Sequence, residues 1–190
     1  EIIEFSRQIV AFFQKQGVKF IIAACNTSSA LALPVVAPIS TIPIMGVIGA
    51  GAHRALEVTS NKKVGVIGTE ATVERACPRL VPLIEAGHWE GEVVREPLRQ
   101  YLTPLAKQDI DTLILGCTHY PFLLGSVQEL LGPKVEIVDP AEATAKEARE
   151  KLGELDLWSL EKLGEDGYFV SGDPISFRAS SARLGYTHRV

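Results

Sequence analysis

With 190 residues, 46% of them hydrophobic, the chain is long enough to bury a sizeable core as one large domain or two small lobes. Its formal charge of -4 arises from 23 acidic residues against 19 Lys and Arg scattered without a basic block, which argues against nucleic acid as a partner. No apolar run approaches the roughly 18 residues of a membrane span, and the amino end, EIIEFSRQIV, is amphipathic and acidic rather than a signal peptide, so a soluble, cytosolic setting is expected.

The chain opens on Glu1, without Met, inside a helical pattern, and reads as the remainder of something longer. From Ile2 to Gln16 the residues Ile2, Ile3, Phe5, Ile9, Val10, Phe12 and Phe13 recur at helical spacing, and Gly17 stands where a terminating glycine belongs. Val18 to Ala24 is a nearly continuous apolar run interrupted only by Lys19, the pattern of a strand buried on both faces of a parallel sheet. Ile42 to Ile48, with Pro43 limiting its start, Val64 to Gly68, Thr112 to Gly116 and Val135 to Val138 read likewise. Helices are expected near Ala52 to Thr59, Pro97 to Lys107, Phe122 to Leu131 and Ala141 to Leu152. Another strand is expected at Tyr168 to Ser171, ahead of a Gly172-Asp173-Pro174 turn. Strand alternating with helix implies a right-handed, doubly wound α/β fold.

Three cysteines without a CxxC pair fit neither a disulfide framework nor a zinc site with close-spaced ligands, so free thiols and no metal are expected. Cys25 ends the apolar run FIIAAC and is followed by Asn26 and Thr27; Cys117 ends TLILGC and is followed by Thr118 and His119. Ligands of open α/β sheets bind beyond the carboxyl ends of strands, where backbone N–H groups and hydroxyls can hold an anion. Ala24 and Gly116, just before the thiols, leave space for close approach. A lone Cys after a strand is structural more often than catalytic. Two at matching strand ends with matching polar followers point instead to a pair of thiols flanking a small carboxylate. Such a pair suits inversion of a carbon next to that carboxylate, one thiolate removing its hydrogen and the opposite thiol returning a proton. Cys77, followed by Pro78, reads as a core or loop residue, and His53, His88 and His188 as surface or satisfied histidines. GVIGAGAHR (Gly46 to Arg54) has Arg54 at the third glycine position of a dinucleotide fingerprint, so no nicotinamide site is expected, and no cofactor is invoked.

The stretches AACNTSSALALP, VGVIGTEATV, RACPRLVPLIEAG, DTLILGCTHYPFL and YFVSGDPISF together resemble the glutamate racemases, bacterial cofactor-independent isomerases that supply D-glutamate for peptidoglycan. The resemblance implies that Cys25 and Cys117 are the two catalytic thiols, with Asn26, Thr27, Thr118 and His119 around the substrate. His119 would assist Cys117, Glu85 would tune that histidine, and Thr69 and Thr72 would line the pocket. It also implies two α/β lobes with mostly parallel sheets and the active site in the cleft between them. Residues 1–43 with 139–190 would form the first lobe, residues 44–138 the second, and a homodimer is possible within the family. Members carry an Asp-Ser-Gly-type motif, a Pro-Tyr-Gly turn and a helix-sized segment between GTEATV and ACP. None of these occurs in this sequence. Two other readings stay open: an aspartate or related racemase, against which His119 speaks because those enzymes usually place an acidic residue there, and a noncatalytic fragment.

Overall fold

A computed structural model describes residues 1–70, 76–159 and 166–183. Helix α1 (Ile2–Lys15) turns Val10 inward and stops where Gly17, at φ +71°, lets the Val18 N–H reach the Phe13 carbonyl at 3.3 Å. Strand β1 (Ile21–Ala23) follows, then the short helices α2 (Asn26–Leu31) and α3 (Leu33–Val36), and β2 (Ile44–Gly46). The two strands pair in parallel, Ile21 opposite Ile44 and Ala23 opposite Gly46. The runs expected from Val18 to Ala24 and from Ile42 to Ile48 are thus shorter as strands. Pro43 has no N–H for a ladder, although its carbonyl accepts from Ile21 N–H at 3.0 Å, and Ile48 is already helical. Val10, Ile21, Ala32 and Val36 form a small core beside this sheet, with Phe13, Val18, Ile42 and Ile44 packed against it.

The second sheet is larger. Helix α4 (Ile48–Val58) leads to β3 (Val64–Gly68), α5 (Leu80–Glu85), α6 (Glu92–Ala106), β4 (Thr112–Gly116), α7 (Leu124–Leu131) and β5 (Glu136–Val138). All pairing is parallel, in the order β3-β4-β5. Side chains alternate across a strand, and Ile67, Leu113 and Leu115 join Leu80, Val94, Leu98, Leu102, Tyr120 and Val127 in one buried core under α5, α6 and α7. Helices α4 and α8 (Pro140–Glu154) lie against β4 and pack on each other. Asp139 caps α8, accepting from the Ala141 N–H at 2.9 Å. The α/β architecture with parallel strands in two sheets is as expected.

Several boundaries differ from the sequence reading. Helix α4 begins at Ile48 rather than Ala52, taking Gly49 and Gly51 into its first turns, so the glycines of GVIGAG form no phosphate-binding loop. Helix α6 begins at Glu92 and carries Pro97 and Pro104 inside it. Helix α9 (Pro174–Arg183), not anticipated, starts where Asp173 accepts from the backbone N–H groups of Ile175 and Ser176. No ladder forms at Tyr168 to Ser171 among the described residues; Phe169 instead meets Phe12 edge-on, ring centres 5.0 Å apart. The groove so made, lined by Phe5, Ile9, Phe12, Phe169, Val170 and Phe177, shares no residue with the thiol-bearing loops. By pairing, β2 belongs with β1, and by packing α8 belongs with α4 and β4. Residues 44–46, expected in the second lobe, thus pair with β1, and residues 140–154, expected in the first, pack on α4 and β4.

At the amino-terminal edge of the second sheet one carboxylate organises the turn between α4 and β3. Asp111 accepts from Thr59 Oγ1 at 2.6 Å, from the Ser60 and Asn61 N–H groups at 2.7 Å each, and from Thr112 Oγ1 at 2.9 Å. These donors favour the ionised form and hold the carboxyl down at about 2, the Thr59 hydroxyl contributing most. A folded-state value below the unfolded one, about 3.9, means stability that is present above the unfolded value and lost as pH falls through the folded one. Asp111→Asn is expected to lower Tm at pH 7, and the gap from the unsubstituted protein to narrow between about pH 4 and pH 2. Thermal unfolding monitored across that window checks both.

Candidate active site

Cys25 lies two residues past the first strand of one sheet and Cys117 directly after the middle strand of the other, so both stand at carboxyl edges, where parallel α/β sheets receive ligands. Cys25 has extended backbone, φ -123° and ψ 123°, and precedes α2; its thiol is exposed. Cys117 is buried. Gly116 brings β4 close to β3 just before the thiol: a Cβ at that position would lie 2.7 Å from the Ile67 carbonyl oxygen, so backbone would have to move. The space predicted for Gly116 is therefore used by the neighbouring strand.

His119 and Glu85 extend from Cys117 in a chain. The Cys117 Sγ lies 3.7 Å from His119 Nδ1, and His119 Nε2 lies 3.3 Å from Glu85 Oε1 at the end of α5. An Nε2–H donated to the carboxylate leaves Nδ1 as the acceptor for the thiol proton. Burial pushes the Cys117 thiol above its ordinary range, and the Glu85 carboxylate pushes it the same way. The His119 backbone N–H, bonded to the sulfur, acts against them.

The polar residues expected around a ligand divide by position. Asn26 is buried at the start of α2, whereas Thr118 is exposed beside Cys117. Thr27 Oγ1 and Thr69 Oγ1 share a hydrogen bond of 2.9 Å, linking the first turn of α2 to the loop after β3. Thr72 and His188 lie outside the described residues. Cys77 sits in the main core, 1% exposed, with its thiol pushed up to about 11 by burial. His53 pairs with Glu147 on the surface and His88 is exposed. Among the described residues no group of His, Cys, Asp or Glu could hold a metal ion.

Tyr120 was not singled out from the sequence. It is wholly buried, and its hydroxyl donates to the Gly68 carbonyl at 3.0 Å and lies 3.5 Å from the Cys77 carbonyl. The Gly68 oxygen also accepts from the Cys77 N–H at 2.9 Å. Tyr120 thereby ties the turn after Cys117 to the end of β3 that carries Thr69. A tyrosine inside an otherwise apolar run after the loop was the available signal, since a buried hydroxyl needs a partner.

Fold and thiol pair define an enzyme class, and the comparisons agree with it. The model of the Asp/Glu/Hydantoin racemase family matches residues 4–148, and the chain belongs to that family. Within it, the chain is 39% identical to a glutamate racemase of Desulforudis audaxviator over 97% of its own length and 77% of that protein's. The alignment runs to 215 positions, more than the chain's own 190 residues, so that relative carries internal residues this chain lacks. Identity to a glutamate racemase of Thermus thermophilus is 42%, covering 95% of the chain and 74% of the relative. Among solved structures, the Thermus thermophilus glutamate racemase in complex with beta-chloro-D-alanine matches with a TM-score of 0.90 at 41% identity, over 99% of this chain and 77% of that one. The Francisella tularensis glutamate racemase in complex with D-glutamate matches at 0.89 and 32%, over 99% and 78%.

Exposure and burial order the three thiols by reactivity, because the thiolate is the nucleophile and needs access. With iodoacetamide at neutral pH, Cys25 is expected to be alkylated first, Cys117 more slowly and Cys77 only after denaturation. Peptide mapping of a time course checks the order.

Proposed function

We propose that this chain interconverts L- and D-glutamate without a cofactor, Cys25 and Cys117 acting as the two proton-transfer groups. The observation that carries the reading is the pair of thiols at the carboxyl edges of two parallel sheets, Cys117 with His119 and Glu85 in series behind it, in a chain belonging to an amino-acid racemase family. One thiolate takes the α-proton from one face of glutamate, leaving a carbanion delocalised into the α-carboxylate. The other thiol delivers a proton to the opposite face. The configuration inverts, and thiol and thiolate exchange places. His119, oriented by Glu85, takes and returns the Cys117 proton. Asn26, Thr27, Thr69, Thr72 and Thr118 are the residues we assign to holding the substrate, their donors stabilising the developing charge at its carboxylate. The two lobes we infer are residues 1–46 with 155–190 and residues 47–154, with the site between them.

The raised Cys117 thiol favours the mixed state, one thiol and one thiolate, over two thiolates. D-Glutamate made this way serves peptidoglycan synthesis, which fits the bacterial sources of the relatives and a cytoplasmic location. No helix among the described residues is long and apolar enough to cross a membrane. A homodimer is the assembly we expect from the family resemblance, and nucleic acid is not a partner.

Proton NMR of L- and D-glutamate in D2O tests the mechanism. Both enantiomers are expected to exchange their α-hydrogen. Cys25→Ser and Cys117→Ser are each expected to lose about 10²–10⁴-fold in racemisation while retaining exchange of the one enantiomer whose hydrogen faces the remaining thiol. Faster turnover of aspartate would shift the reading to an aspartate racemase, and no exchange at all would leave a noncatalytic fragment. The pH profile supplies a second test. L- and D-glutamate have equal free energy, so kcat/KM is the same in both directions at every pH and forms a bell whose alkaline limb reports loss of the last thiol proton. Glu85 charge helps hold that proton, and Glu85→Gln is expected to lower kcat and move the alkaline limb to lower pH.

A further inference from the structure

One oxygen joins the ends of both strands of the first sheet. Ser29, on α2, donates its Oγ–H to the Ala23 carbonyl at 3.1 Å, and the same Oγ accepts from the Val47 N–H at 3.2 Å. Its backbone N–H donates to the Cys25 carbonyl at 2.9 Å. Ala23 ends β1, two residues before the thiol, while Val47 follows β2 and precedes α4, the helix that carries the chain to the second sheet. Ala23 and Gly46 are opposite each other in the ladder, and Gly46 is what admits the hydroxyl, since a Cβ there would lie 2.8 Å from Ser29 Oγ and 2.7 Å from Leu33 Cδ1.

We propose that Ser29 is a positioning residue that fixes where Cys25 stands relative to the second sheet, and hence to Cys117. Cys25 stands between two short elements: β1 is three residues long and α2 six. Without the hydroxyl, the partly buried Ala23 carbonyl and Val47 N–H lose their shared partner. The strand end carrying the thiol can then drift from the start of the crossover helix. A displacement on the order of 1 Å at a reacting group costs up to about 10²-fold in rate. Sequence reading passed over Ser29 because a serine among CNTSS has no distinguishing local pattern; its two partners are separated along the chain and meet only in the sheet.

The inference rests on the two-thiol reading, and the test separates the two. In D2O, Ser29→Ala is expected to lower racemisation about 10–100-fold. Exchange with retention at the enantiomer served by Cys117 should persist, so the ratio of retention to inversion rises. Ser40→Ala serves as the comparator. Its hydroxyl also makes two backbone hydrogen bonds, both to Ile42, away from Cys25; it is expected to leave the ratio unchanged. Gly46→Ala, which presses the Ser29 oxygen from the other side, should reproduce the asymmetry should Ser29→Ala fold poorly. A proportional fall of both processes together with Tm would show a merely structural role and overturn the proposal. Cys25 alkylation gives a readout independent of turnover: Ser29→Ala should change the Cys25 rate and spare Cys117. If glutamate fails to exchange with the unsubstituted protein, the racemase reading falls, and the alkylation result alone decides the role of Ser29. An unchanged Cys25 rate sinks it.

Discussion

Parallel pairing is the constraint on which the rest of this molecule depends. In both sheets the strands run the same way, so each return to the sheet needs a crossover, and the carboxyl ends collect on one edge. Cys25 and Cys117 occupy that edge in their respective sheets, as do Thr27 and Thr69, whose hydroxyls meet. The opposite edge carries structural chemistry: Asp111 gathers four donors there and fixes the turn that delivers β3. The thiol of the proposed site and the stabilising turn thus lie at opposite ends of β4.

The two thiols are alike in sequence but not in environment. Cys117 is packed behind β4, backed by His119 and Glu85, and held toward its protonated form. Cys25 is exposed just past a short strand of a two-stranded sheet, with its placement, on our proposal, resting on Ser29. A symmetric reaction does not require symmetric supports. The two-thiol reaction we propose requires one thiol and one thiolate on opposite faces of the substrate, and burial on one side with exposure on the other permits this.

Stretches whose local pattern and tertiary role coincide were legible. Val64 to Gly68 and Thr112 to Gly116 are strands over the residues expected, because each feeds the main core and its apolar run ends where the ladder ends. Where a partner or a cap set the boundary, the pattern misled. Ile42 to Ile48 is apolar throughout apart from Pro43 and Gly46, yet only Ile44–Gly46 pairs; helix α6 extends back to Glu92 through a proline that local propensity takes as a start. Tyr168 to Ser171 has strand-like composition, but Phe169 packs on Phe12 and no neighbouring strand bonds it among the described residues.

What the sequence alone determined is the chemistry on offer: three cysteines without a disulfide framework, two of them past strand ends before polar residues, and an alternation of elements that requires parallel sheets. These are local properties, carried by side-chain type and spacing. Only the tertiary structure decided which thiol is buried, that His119 reaches both Cys117 and Glu85, that Tyr120 secures the end of β3, and that Ser29 spans Ala23 and Val47. Those relations join residues distant in the chain, and the energy that fixes them, burial and hydrogen bonds between separate elements, exists only once the sheets have formed.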